Sequence, residues 1–138
     1  MSKYNIKAKK EKNPEYLTLH SVEYVERVYS QILQKLVIEK KYRDKEYSAS
    51  SLSKEIGVNT RCLSSVINLR YRDNFSQMVN DMRIREAQYM LSDRHFRDKN
   101  VEEIGAEVGY LTRQSFYTAF YKRTKMTPKE YRKQFYKE

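Results

Sequence analysis

The chain has 138 residues, with 28 Lys+Arg against 18 Asp+Glu and a net charge of +10. That length fits one ordinary domain or two very small ones, and the charge suits a polyanionic partner such as nucleic acid or an anionic membrane face, although a merely soluble basic protein would carry it equally well. One cysteine, Cys62, excludes an internal disulfide, two histidines make no zinc set, and no apolar run reaches the length of a membrane span or a signal peptide, which suits a cytoplasmic chain without metal or cofactor.

Three glycines and two prolines offer little turn chemistry for a many-stranded sheet, and apolar residues recur at helical spacing, so the fold class is all-α. Residues 1–20 are lysine-rich and aperiodic and read as a flexible tail. Ser21 is placed to cap a first helix with an apolar stripe of Val22, Val25, Val28, Tyr29, Ile32, Leu33, Leu36 and Val37, ending before the charged segment KKYRDKEY. Ser48 caps a short second helix with Leu52 and Ile56 inward, stopped by Gly57. Asn59 caps a third that buries Leu63, Val66 and Ile67.

A longer fourth helix runs over 74–91, with Phe75, Met78, Val79, Met82, Ala87, Met90 and Leu91 on one side. The polar run SDRHFRDK follows as a loop. Asn100 and Glu103 then form a capping box for a fifth helix carrying Val101, Ile104 and Val108, ended by Gly109. Thr112 opens the sixth, with Phe116, Ala119 and Phe120 inward. The stretch TPKE at 127–130 supplies cap, proline and glutamate for a seventh bearing Tyr131 and Phe135.

Part of this order occurs twice. Ser48, Leu52, Ser53, Ile56 and Gly57 match Asn100, Ile104, Gly105, Val108 and Gly109 at an offset of 52; after one extra residue, Leu63, Val66 and Ile67 fall opposite Phe116, Ala119 and Phe120 at 53. Two helices that cross steeply through a short turn need a left-handed residue after the first, which is cheap only for glycine. They also need a small side chain where their axes come closest. Gly57 and Gly109 meet the first need, Ser53 and Gly105 the second. Two helix-turn-helix units in register follow, each with a second helix suited to the DNA major groove.

The outward faces of those second helices agree with this. Helix 59–69 presents Thr60, Arg61, Ser64, Ser65 and Asn68; helix 112–123 presents Arg113, Gln114, Tyr117, Thr118, Tyr121 and Lys122. Arginine can bridge guanine O6 and N7, and glutamine adenine N7 and N6, while hydroxyls reach bases or phosphates. Carboxylates would be repelled by the backbone, and neither helix has one. Thr60, Asn68, Tyr117 and Lys122 are assigned to the DNA backbone.

From about residue 48 to 133 the sequence resembles the DNA-binding domain of the AraC/XylS family of transcription regulators. NVEEIGAEVGYLTRQSFYTAFYKRTKMTPKEYRK looks like the family signature almost throughout, and LSKEIGVNTRCLSSVINLRYRDNFSQMVNDMRIREAQYML resembles a subtype of it. The resemblance implies seven helices, with a first unit in 21–91, a second in 92–138, and the helix 74–91 as a central linker. It implies base contacts at Arg61, Ser64 and Ser65 in the first unit and at Arg113, Gln114, Ser115 and Thr118 in the second. It further implies an activator that binds double-stranded DNA as a monomer, with RNA polymerase as a further partner. The chain would be a stand-alone regulator or the DNA-binding end of a larger ligand- or membrane-sensing one. No Gly-rich phosphate loop or Ser/His/Asp grouping supports an enzyme, and Cys62 reads as a small packing residue. A helical RNA- or protein-binding module, stacking through its tyrosines, is the rival from another class.

Overall fold

The computed structural model describes residues 21–136; the tail expected over 1–20 lies outside the described residues. Seven α-helices and no strand occur among the described residues. They are α1 (Val22–Leu33), α2 (Ala49–Ile56), α3 (Thr60–Tyr71), α4 (Phe75–Ser92), α5 (Val101–Val108), α6 (Arg113–Thr124) and α7 (Pro128–Lys133). A π-helical turn, Gln34–Ile38, extends α1, and short 3-10 turns occupy Lys41–Arg43 and Arg94–Phe96.

The helix starts follow local chemistry. Ser21 accepts from the Tyr24 amide, Asn59 from Cys62, and reciprocal capping boxes join Ser48 with Ser51, Asn100 with Glu103, Thr112 with Ser115 and Thr127 with Glu130. Each satisfies amide groups that the first helical turn leaves without a partner. Gly57 (φ 77°) and Gly109 (φ 123°) both occupy backbone that favours glycine.

The chain divides into two compact units. The first holds the described residues up to Glu39 together with Ser48–Met78; the second holds Lys40–Tyr47 and the residues from Val79 on. The division falls inside α4, between Met78 and Val79, where the sequence reading set it after Leu91. In the first unit α1 packs on α2 and α3, burying Val25, Val28, Ile32, Leu36, Leu52, Cys62, Leu63, Val66, Ile67 and Met78. The Cys62 thiol meets the Tyr24 hydroxyl at 3.3 Å, as a packing residue should. Arg70 pairs with Glu26 and stacks over Tyr29, tying the end of α3 to α1.

The second unit closes around Ile84, Ala87, Met90, Leu91, Val101, Ile104, Val108, Tyr110, Phe116 and Phe120. An aromatic chain runs through it: Tyr110 to Phe116 at 5.5 Å, Phe116 to Phe120 at 5.7 Å and Phe120 to Tyr131 at 5.4 Å between centroids. Offset and edge-on pairs of this kind add to what burial alone provides. Gly105 explains itself here, since a β-carbon on it would stand 2.7 Å from Cγ of the buried Phe116. Arg132 donates to the carbonyls of Lys99 and Phe96, and so fastens α7 to the segment before α5.

Several burial expectations fail for identifiable reasons. Val22 is 77% exposed; it is the first helical residue, and three helical steps from Val25 leave it about 60° round from that residue. Val37 is also exposed, because the π turn, closed by the Glu39 amide on the Gln34 carbonyl, breaks the 3.6-residue spacing. Phe135 lies past the end of α7 and rests against Tyr131 instead of entering the core. Phe75 and Met82 are half-buried, while Ile84 takes a fully buried place on α4.

The segment KKYRDKEY is not merely a charged connection. Tyr42 and Tyr47 are buried, Tyr42 donates to Glu86 at 2.8 Å, and Arg43 closes an ion pair on the same carboxylate. Burial opposes the charge on Glu86, but the hydrogen bonds from Arg43 and Tyr42 outweigh it and hold the carboxyl below its usual range. Arg83 donates to the Tyr42 carbonyl and Lys45 to that of Ala106.

Candidate nucleic-acid interface

Each unit presents the outward side of its second helix. On α3, Leu63, Val66 and Ile67 face the core, which leaves Thr60, Arg61, Ser64 and Asn68 exposed and Ser65 half-buried. On α6, Phe116 and Phe120 are buried, which leaves Arg113, Gln114, Ser115, Thr118, Tyr121 and Lys122 exposed and Tyr117 half-buried. Each face is therefore set by two or three core anchors at helical spacing. Both helices have twelve residues and end on a left-handed residue, Arg72 (φ 71°) and Lys125 (φ 65°).

On the α6 face three side chains are held together. The Arg113 guanidinium lies 4.1 Å from the centroid of the Tyr117 ring, and its Nε donates to Oε2 of Glu102 at 2.8 Å. The Tyr117 hydroxyl donates to the same oxygen at 3.5 Å. The Arg113 bond holds the Glu102 carboxyl below its usual range, and the same bond raises Arg113. Burial, followed by the Glu102 charge, raises the Tyr117 phenol. Tyr117, Thr118, Tyr121 and Lys122 line a shallow groove of about 550 Å³ together with Thr127.

Ser115 has a local task. Its hydroxyl donates to the Thr112 carbonyl at 2.9 Å, while its amide donates to the Thr112 hydroxyl at 3.0 Å. Glu102 is the residue that reading the sequence missed. It stands eleven positions before Arg113, on the helix that precedes the turn and outside the two second helices.

A family model described as a helix-turn-helix domain matches residues 52–134, a span that takes in both second helices. The chain belongs to the AraC-type helix-turn-helix family. A solved structure from Fusobacterium nucleatum, the C-terminal domain of the two-component response regulator yesN, is 26% identical, with a TM-score of 0.66 over 75% of this chain and 98% of that one. The C-terminal domain of AraT, a response regulator from Geobacillus stearothermophilus, shares the fold at 24% identity and a TM-score of 0.67, over 83% of this chain and 87% of that one. A transcriptional regulator from Chromobacterium violaceum, described as containing an AraC-type DNA-binding domain, does so at 20% and 0.62, over 77% and 94%. No curated protein matches the sequence. As an AraC-type domain, the chain is a DNA-binding module of transcription regulation. No helix among the described residues is long and apolar enough to cross a membrane.

Proposed function

We propose that the chain is a sequence-specific regulator that inserts α3 and α6 into successive major grooves of double-stranded DNA, acting as a monomer in the cytoplasm. The observation that carries this reading is the duplication itself. Two capped helices, each preceded by a glycine turn, expose faces rich in Arg, Gln, Ser and Thr and free of carboxylate. Arg61, Ser64 and Ser65 in the first unit, and Arg113, Gln114, Ser115 and Thr118 in the second, contact bases. Thr60, Asn68, Tyr117 and Lys122 contact phosphates. Grooves one turn apart are separated by about 34 Å, so the site is asymmetric and spans about two turns. The regulatory direction is activation, with RNA polymerase as the further partner.

A second reading makes the chain the output module of a larger sensor. It is favoured by the two similar structures that are C-terminal domains of response regulators.

The test is selection of bound duplexes from a random library, followed by single substitutions. Arg113→Ala and Gln114→Ala are expected to relax preference at individual base pairs by about 1–3 kcal/mol each. Lys122→Ala is expected to weaken all sequences alike and flatten the salt dependence. A palindromic minimal site bound only by dimers, or preference for structured RNA at matched salt, would overturn the proposal.

A further inference from the structure

We propose that Glu102 is a positioning residue for DNA recognition, holding Arg113 against Tyr117 so that its guanidinium meets a base edge rather than a phosphate. The inference rests on the reading that Arg113 contacts a base. Three groups on two helices converge: Glu102 on α5, and Arg113 and Tyr117 one helical turn apart on α6.

The guanidinium is a planar fork with five donors. Glu102 takes the Nε hydrogen, and the Tyr117 ring covers one face of the plane. The pair of terminal amino groups matches the O6 and N7 acceptors of guanine. A long side chain fixed by a carboxylate and a ring has less rotamer freedom to lose on binding. Glu102 acts a second way, because a carboxylate 40% exposed beside the reading helix repels the DNA backbone everywhere. That repulsion lowers affinity for every sequence, and the well-placed Arg113 restores it only where the right base is present.

The device belongs to the second unit. At the same offsets the first unit has Ser50, Thr60 and Ser64 where the second has Glu102, Arg113 and Tyr117.

The experiment compares Glu102→Ala, Glu102→Gln, Arg113→Ala and the Glu102→Ala/Arg113→Ala double variant. Binding is measured to three duplexes: the selected site, that site with the Arg113 base pair changed, and an unrelated sequence. Glu102→Ala is expected to lower discrimination at that base pair by about tenfold while strengthening binding to the unrelated duplex. Glu102→Gln, which can still accept from Nε, should keep more of the discrimination and share the gain on unrelated DNA. The double variant should discriminate no worse than Arg113→Ala alone. If Arg113→Ala abolishes discrimination but Glu102→Ala leaves it intact, Glu102 is only a surface ion pair and the inference fails. Should Glu102→Ala shift all three duplexes equally, charge alone accounts for it, and the inference fails again. If Arg113→Ala itself leaves base preference unchanged, the assignment of Arg113 to a base is what fails.

Discussion

The two units are built on one backbone plan and filled differently. Offsets of 52 and 53 relate their caps, turn glycines and core positions. The correspondence runs further than side-chain pattern reveals. The left-handed ends of α3 and α6 (Arg72 and Lys125), the starts of α4 and α7 (Phe75 and Pro128) and the two 3-10 turns (Lys41–Arg43 and Arg94–Phe96) all repeat at 53. Into that plan the first unit puts an aliphatic core around Leu63, Val66 and Ile67, and the second an aromatic one around Phe116 and Phe120. The difference shows which positions are dictated by backbone geometry and which are free to carry specificity. Residues that set φ or a cap recur in kind, whereas outward residues do not, Arg61 standing opposite Gln114 and Ser64 opposite Tyr117.

The turn glycines offer the largest test of that distinction, because one has a single reason to be glycine and the other has two. A β-carbon on Gly57 would meet nothing within 4 Å, so Gly57→Ala carries only the left-handed backbone penalty, about 1 kcal/mol. On Gly109 it would stand 2.5 Å from the Tyr42 carbonyl oxygen and 2.6 Å from Arg83 Nε. Overpacking is then added to the backbone strain, and Gly109→Ala is expected to cost about 3 kcal/mol. Urea denaturation of the two variants reads the difference directly. Equal losses would mean that the Tyr42 segment yields freely and that both turns have only a conformational role.

The Glu86 cluster is peculiar to the second unit and gives an intermediate effect. Glu86 is 10% exposed and receives Tyr42 and Arg43. Because its folded pKa lies below the ordinary value of 4.5, it stabilises the fold above that value. The contribution is lost as pH falls through the lowered folded pKa. Glu86→Gln is expected to cost about 2 kcal/mol at neutral pH and to bring variant and parent together in acid. Denaturation midpoints followed downward from pH 7 check this; a gap that never narrows as the pH falls would show that shape rather than charge holds the cluster.

How much of this could be read in the sequence depends on the range of the interaction. Caps, turn glycines and the inward stripes of α2, α3, α5 and α6 are local, and each was legible from residues within a turn or two of one another. Gly105 was legible too, as a small residue four before a turn glycine. What stayed hidden were contacts across large sequence separations between residues of ordinary type: Tyr42 and Arg43 on Glu86, Lys45 on Ala106, and Arg132 on the 96–99 carbonyls. Arg72 and Lys125 escaped as well, because a left-handed end without glycine leaves no mark in composition. Glu102 was hidden for a related reason, since its partner lies on the next helix and its own neighbours suggest only a helix start.

The smallest effect separates capping from reading on α6. Ser115 stands where the family resemblance implies a base contact, and its hydroxyl is engaged by Thr112 in a capping box. The corresponding start of α3 relies on Asn59 alone, which accepts from the Cys62 amide at 2.7 Å. Ser115→Ala removes one arm of the box but leaves the Thr112 hydroxyl on the Ser115 amide. The expected cost is therefore about 0.5 kcal/mol, below the roughly 1 kcal/mol expected for Asn59→Ala, which removes the whole cap. Ser64, exposed in the middle of α3, has no place in a cap, so Ser64→Ala should leave the thermal midpoint almost unchanged and act on binding alone. Measuring both melting and binding for the three variants decides how Ser115 acts. A loss of stability with binding weakened alike on every duplex assigns it to the cap. A relaxed preference at one base pair, beyond what the lost stability explains, assigns it to a base as well and makes α6 a helix whose first turn both starts the helix and reads the DNA.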